Sequence, residues 1–238
     1  MAKVLVSAMC YNTRDATKGV LDKFPEARDY DVLLVNDGST DDTSELLKQY
    51  KFNVLEHTTN KGLGAAIKTA IGYAIRNHYD VIVLMAGNGK DNPQEIPNLV
   101  KPILEQGCDY VQGSRFLKGG GWDNLPPSRY IMIRTYAILL STIFGTAITD
   151  PLNGFRAYRL DILNDKRINI WQDWLDHYEL ETYLNLNVLR FKYKYREVAV
   201  SKLYPSRRKK VKYSHVRPFI DWWSIIRPHV LISLRIKK

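Results

Sequence analysis

Apolar runs of strand length alternate along this chain with segments whose apolar residues recur every three or four positions. Residues 4–9, 31–35, 54–57, 81–85 and 110–113 are short, nearly continuous apolar runs, the form a strand takes when both faces of its sheet are covered. Between them, 16–24, 42–50, 63–77 and 94–106 carry helical spacing. The alternation predicts an α/β fold, a mostly parallel sheet with helices on both faces. Two helices have start signals: Asp42 with Glu45 fits a capping box, and Asn92-Pro93-Gln94-Glu95 sets a cap, a first-turn proline and an acid in order. After Gly113 the rhythm changes. Gly119-Gly120-Gly121 and Pro126-Pro127 mark a loop, followed by an amphipathic helix at about 129–144, a strand with a turn around 150–159, a helix near 173–186 and a strand at 195–200. The pattern predicts one domain over 1–204 and a separate extension over 205–238.

With 45% hydrophobic and 25% charged residues in 238, the composition excludes disordered and collagenous chains. Two cysteines, Cys10 and Cys108, are too few for a disulfide scaffold and read as buried free thiols in a reducing compartment. The opening residues lack the form of an export signal, and 131–148 carries Arg134, Thr135, Ser141, Thr142 and Gly145, too polar and short to span a bilayer. A cytoplasmic protein is expected. The net charge of +10 is unevenly placed: residues 201–238 hold 11 Lys or Arg and a single acid, Asp221, while the rest of the chain is balanced. Such an end meets an anionic surface, either phospholipid headgroups or nucleic acid. Trp222-Trp223, Ile225-Ile226 and Val230-Leu231-Ile232 lie among those basic residues, as in a helix lying in a membrane interface. A terminal core helix with a solvated face is the other reading of the same pattern.

In a parallel open sheet, ligands bind beyond the carboxyl ends of the strands, and there this chain is polar. Asn36-Asp37-Gly38-Ser39-Thr40-Asp41, Asn60-Lys61-Gly62-Leu63-Gly64-Ala65-Ala66 and Ala86-Gly87-Asn88-Gly89-Lys90-Asp91 follow three strands and together make a nucleotide-sized crevice. A dinucleotide fingerprint is not complete at Gly62-Leu63-Gly64, where the third glycine is missing, and close helix packing is the alternative. The five histidines show no metal-ligand spacing. Nucleic-acid binding through Arg207-Arg208-Lys209-Lys210 would leave the polar loops without a role, so no nucleic-acid partner is expected.

These three loops, with Tyr11-Asn12, Gly113-Ser114-Arg115, the Asp150-Pro151-Leu152-Asn153-Gly154-Phe155-Arg156-Ala157-Tyr158 segment and Glu197-Val198-Ala199-Val200, resemble the family 2 glycosyltransferases of GT-A fold. Within them the resemblance is nearest to the dolichyl- or polyprenyl-phosphate hexose synthases. It implies inverting transfer of a sugar from a nucleotide-diphosphate sugar to a lipid phosphate or, alternatively, to a glycan hydroxyl, at the cytoplasmic membrane face. It implies donor binding by Tyr11, Asn12, Asp37, Ser39, Lys61, Asn88 and Lys90, with Asp37 holding the nucleoside from an exposed loop; a turn closed by Asx and Ser side chains is the structural alternative. Arg115, Arg129 and Arg134 are the candidates for an acceptor phosphate. Asp150 or Asp173 is the candidate catalytic base, needed only for a hydroxyl acceptor, and Asp150 otherwise caps a turn.

One loop departs from the family pattern. Where relatives carry Asp-X-Asp for a divalent cation, this chain has Ala86 and Asn88. Asn88 and Asp91 then make at best a weak site for Mg²⁺ or Mn²⁺, and activity independent of metal is expected, with Lys90 supplying a cation near the diphosphate. The alternative has Lys90 pointing to solvent and Asp91 recruiting the metal together with the diphosphate.

Overall fold

The computed structural model describes residues 2–204 together with 223, 224, 226–228 and 231. In chain order the elements are β1 (Val4–Cys10), α1 (Arg14–Leu21), β2 (Asp31–Asn36), α2 (Thr43–Leu47), β3 (Asn53–Glu56), α3 (Leu63–Arg76), β4 (Val81–Ala86), α4 (Ile96–Gln106), β5 (Tyr110–Ser114), β6 (Gly121–Asp123), α5 (Pro127–Phe144), β7 (Arg156–Arg159), α6 (Glu179–Arg190), β8 (Tyr195–Ala199) and β9 (Ser201–Leu203). Seven strands form one sheet in the order β3-β2-β1-β4-β7-β5-β8. Neighbours are parallel except at β7, which runs antiparallel to β4 and β5. The short β6 and β9 pair separately.

The period of two in each strand divides the core into two layers. Leu5, Leu33 and Leu84 face α3 and α6, whereas Val4, Val6, Ala8 and Leu34 face α1 and α4. Both layers are closed, which is why β1, β2 and β4 read as unbroken apolar runs. Cys10 and Cys108 are buried and free, as expected. Among the described residues no helix is long and apolar enough to cross a membrane.

Several expectations change in detail. Asn92 caps its helix start, accepting from Gln94 N at 3.2 Å, but Asp42 makes no cap bond. Asp41 takes its place, accepting from Thr43 N at 3.1 Å. Glu95 does not close a capping box either; its carboxylate grips Ser201 at the start of β9. The helix expected over 173–186 is a 3-10 turn at Asp173–Leu175 followed by α6. The break brings the 175–177 backbone onto the start of α3, where Ala65 N donates to Asp176 O at 2.9 Å. Gly64 permits this approach, since a Cβ there would lie 1.9 Å from Leu175 O. Close packing is therefore the role of that glycine pair. The expected amphipathic helix, α5, buries Ile133, Tyr136, Ala137 and Leu140, yet its outer face is also apolar, with Ile131, Ile138, Leu139 and Ile143 exposed.

The basic run Arg207-Arg208-Lys209-Lys210 and most of the expected interface helix lie outside the described residues. Of the described part, Trp223 is exposed, while Arg227 returns to the body and pairs with Glu179 at 2.7 Å.

Candidate active site

A cleft of about 300 Å³ opens at the carboxyl ends of β1 and β4, where the strand order reverses. The ends of those strands supply Tyr11, Ala86, Asn88 and Lys90; β7 supplies Arg156, and the start of α6 supplies Glu181.

Asp37 lines this cleft but is not an exposed loop carboxylate: it is 4% exposed. Its Oδ1 accepts from Lys61 N at 2.9 Å and lies 2.7 Å from His57 Nδ1, and its Oδ2 accepts from Asn60 Nδ2 and Gly62 N, each at 2.9 Å. One side chain thus folds the whole 57–62 loop around itself. Gly38 makes the approach possible with φ of +67°, because a Cβ would stand 2.2 Å from Thr59 C. Asn12 and Ser39 tie the β1 and β2 loops together: Asn12 Oδ1 accepts from Thr40 N at 2.8 Å, and Asn12 N donates to Ser39 Oγ at 3.0 Å. Neither Asn12, Ser39 nor the exposed Lys61 is part of the cleft wall. Cys10 does reach the wall, and burial pushes its thiol up to about 12, so it stays protonated and inert.

Asp150 and Arg115 form a buried pair, which corrects both of their expected roles. Arg115 Nε and Nη2 donate to Asp150 Oδ2 and Oδ1, each at 2.6 Å, and both side chains are 1% exposed or less. Burial works against the guanidinium's charge, but Asp150 with Tyr204 and Asp91 outweighs it and raises its pKa. Asp150 cannot take a proton from an acceptor in the cleft, because both its oxygens are spent behind the wall. Its turn is anchored by Glu197, which accepts from Thr149 N and Asp150 N at 3.0 Å. Arg134 is also spent, donating to Thr149 O at 3.2 Å, and only Arg129 of the three arginines lines the cleft. Asp173, the second expected base, is exposed and off the cleft wall.

The carboxylate that does face the cleft from this region is Glu181, 3.1 Å from Arg156 Nη2. Sequence reasoning missed it, because Asp173, Asp176 and Glu179 stand close before it and nothing in the spacing singles it out. Another wall residue that the sequence reading missed is Lys202, on β9, whose Nζ lies 2.6 Å from Asp91 Oδ1.

Lys90 does not point to solvent. It is 8% exposed and lines the cleft, 5.7 Å from the Tyr204 ring centre. Burial, together with the nearby charges of Lys202 and Arg129, pulls its pKa down to about 7. Of the two expected metal ligands, Asn88 and Asp91, the carboxylate is already engaged, with Oδ1 on Lys202 and Oδ2 on Ala86 N at 2.9 Å, and Ala86 beside them offers no side-chain donor. No group of three or more His, Cys, Asp or Glu among the described residues is arranged to hold a metal.

The comparisons with known proteins agree with this architecture. The family described as "Glycosyl transferase family 2" matches residues 9–166. A polyprenol monophosphomannose synthase of Mycolicibacterium smegmatis is 30% identical over 168 residues, 68% of this chain and 63% of that protein. An undecaprenyl-phosphate mannosyltransferase of Micrococcus luteus is 31% identical over 167 residues, 68% of each chain. A dolichol-phosphate mannosyltransferase of Pyrococcus furiosus is 31% identical over 70% of this chain and 49% of its own length. This chain therefore spans 49% to 68% of the length of these relatives. Among solved structures, glucosyl-3-phosphoglycerate synthase from Mycobacterium tuberculosis, crystallised with Mn²⁺, UDP and phosphoglyceric acid, superposes with a TM-score of 0.71 at 17% identity, covering 98% of this chain and 78% of that one. The expected GT-A fold is the observed one.

Proposed function

The chain belongs to glycosyl transferase family 2, and from that premise we propose that it moves a sugar from a nucleotide-diphosphate sugar to a polyprenyl or dolichyl phosphate, with inversion at the anomeric carbon. The observation that carries the acceptor class is the disposition of the carboxylates. Asp150 is sealed behind the wall, Asp173 is off it, and Glu181 is engaged by Arg156. A hydroxyl acceptor needs a base to collect its proton, whereas a phosphate monoester is already ionised near neutral pH. Its oxygen attacks the anomeric carbon, the bond from that carbon to the β-phosphate oxygen breaks, and the electron pair leaves with the nucleoside diphosphate. No proton passes to the protein, whose work is positioning and neutralising charge. Arg129 is the cleft residue best placed to meet the acceptor phosphate.

A divalent ion normally steadies such a leaving group. The donor set around Ala86, Asn88 and Asp91 does not suit one, and we read catalysis here as less dependent on metal, with Lys90 sharing that work.

Transfer from a panel of nucleotide sugars, to a short polyprenyl phosphate and in parallel to the corresponding polyprenol, tests the assignment. Product is expected with the phosphate alone; product with the alcohol alone would refute it. A thermal-shift panel of nucleoside diphosphates selects the donor for that assay.

The site would work peripherally at the cytoplasmic membrane face, where a lipid-linked acceptor resides. The exposed Ile131, Ile138, Leu139 and Ile143 of α5 and the basic excess after residue 200 support this. Each Lys or Arg near an anionic surface contributes about 1 kcal/mol. Replacing Arg207, Arg208, Lys209 and Lys210 by Glu in the full chain is expected to abolish flotation with acidic liposomes, and undiminished flotation would refute the electrostatic part.

A further inference from the structure

We infer that Lys202 and Lys90 form a built-in pair of cations that takes the donor's diphosphate in place of a divalent metal ion. This rests on the reading of the cleft as the donor site. Lys202 holds the place that a metal would need. Its ammonium donates to Asp91 Oδ1 at 2.6 Å and to Asn153 Oδ1 at 2.8 Å, and Asp91's second oxygen accepts from Ala86 N at 2.9 Å. The carboxylate that a cation would seek in this loop is thus already neutralised by the chain's own cation. A metal ion entering there must expel a buried ammonium from its partner, which the low-dielectric surroundings oppose.

Lys202 is held firmly. Glu95 accepts from Ser201 N with both carboxylate oxygens at 3.0 Å and from the Ser201 hydroxyl at 2.8 Å. On the other side of Lys202, Leu203 N donates to the backbone oxygen of Lys90 at 3.0 Å. The three-residue strand that seats one lysine therefore also fixes the backbone of the other. This explains why Glu95 leaves its own helix start and why β9 pairs where it does.

The charges around the cleft match the ligand. Its wall carries four cations, Lys90, Arg129, Arg156 and Lys202, against two carboxylates, Asp37 and Glu181. Glu181 is taken by Arg156, Asp37 by its own loop, and Asp91 by Lys202, so the positive excess falls on Lys90 and Arg129, beside a Lys202 whose ammonium still has a donor to offer. A bound diphosphate beside them favours the charged form of both lysines, Lys90 included, and two ammonium groups then equal one divalent ion in formal charge. Each is a compact point charge with rotatable donors, suited to non-bridging phosphate oxygens. Two of the three Lys202 donors serve Asp91 and Asn153; the third is the one a phosphate oxygen would take.

Calorimetric titration of the full chain with UDP and with GDP, in excess EDTA and then with Mn²⁺, reads this directly. The parent is expected to bind one of them with an affinity that chelation leaves unchanged, and Mn²⁺ titrated alone should give no binding heat. The double replacement Lys202→Met with Asp91→Asn removes the pair without leaving a buried charge unpaired, and should weaken binding in EDTA by about tenfold or more. Lys90→Met, judged by the same readout, is the second variant should the double one not fold. Binding that disappears in EDTA and returns with Mn²⁺, or variants that bind as the parent does, would overturn the pair and leave the donor site standing. Absence of binding under both conditions would overturn the donor-site reading itself.

Discussion

Arg115→Ala should cost about 3–5 kcal/mol of folding stability, because it leaves Asp150 charged and unpaired at 0% exposure. For a chain of this size that corresponds to a fall in Tm on the order of 10 °C. Asp150→Ala strands the guanidinium in the same way, with Arg115 Nη1 left holding only the Tyr204 hydroxyl. Replacing both residues together by apolar ones of similar volume should recover much of the loss, since no charge is then left buried. This pattern separates a structural pair from a functional one. An acceptor-binding arginine on the wall would behave in the opposite manner, its removal raising KM for the lipid phosphate at unchanged Tm. Thermal unfolding of the three variants decides it, and an unmoved midpoint in Arg115→Ala would return that residue to the acceptor site.

The sequence misassigned this pair for a physical reason. A polar residue just beyond a strand end is equally at home facing the ligand or satisfying another polar residue from a neighbouring loop, and the two segments here are 35 positions apart. The fold was more legible. β1, β2 and β4 are buried on both faces, so their composition alone marks them. β7, with two arginines in four residues, reads in the sequence only as a strand with a turn around 150–159, and the glycine-led β6 carries no mark at all; both form because partners already stand beside them. Glu181 and Lys202 were hidden in the same way. Glu181 stands among other acids, and helical spacing does not tell which of them meets the cleft. Lys202 begins a basic stretch that reads as a solvated tail, yet backbone pairing with β6 draws it inward. Asp37 and Lys90 stood out because they follow strands whose carboxyl ends must converge, which topology alone dictates.

Asp37→Asn is expected to lose both stability and nucleotide affinity, and the combination carries the information. The substitution keeps the shape but removes the charge and turns one acceptor into a donor. Lys61 N and Gly62 N approach the two carboxylate oxygens at 2.9 Å each, so whichever way the amide is turned, one backbone N–H faces an NH₂ group. Losing a charged acceptor and orphaning a part-buried donor should destabilise the protein by about 2–3 kcal/mol. The 57–62 loop, no longer drawn in by the charge, should loosen at the point where Asn60 and Gly62 form the cleft wall. Nucleoside diphosphate binding should fall by about 1–3 kcal/mol, roughly fivefold to 150-fold, through loss of the proposed contact and of loop order together. Unfolding midpoints and calorimetry on the same preparation separate the two contributions. A lowered midpoint with full affinity in the remaining folded protein would make Asp37 a loop scaffold that never touches the nucleoside. Lowered affinity at an unchanged midpoint would mean that the loop holds without it and that the carboxylate serves the ligand alone.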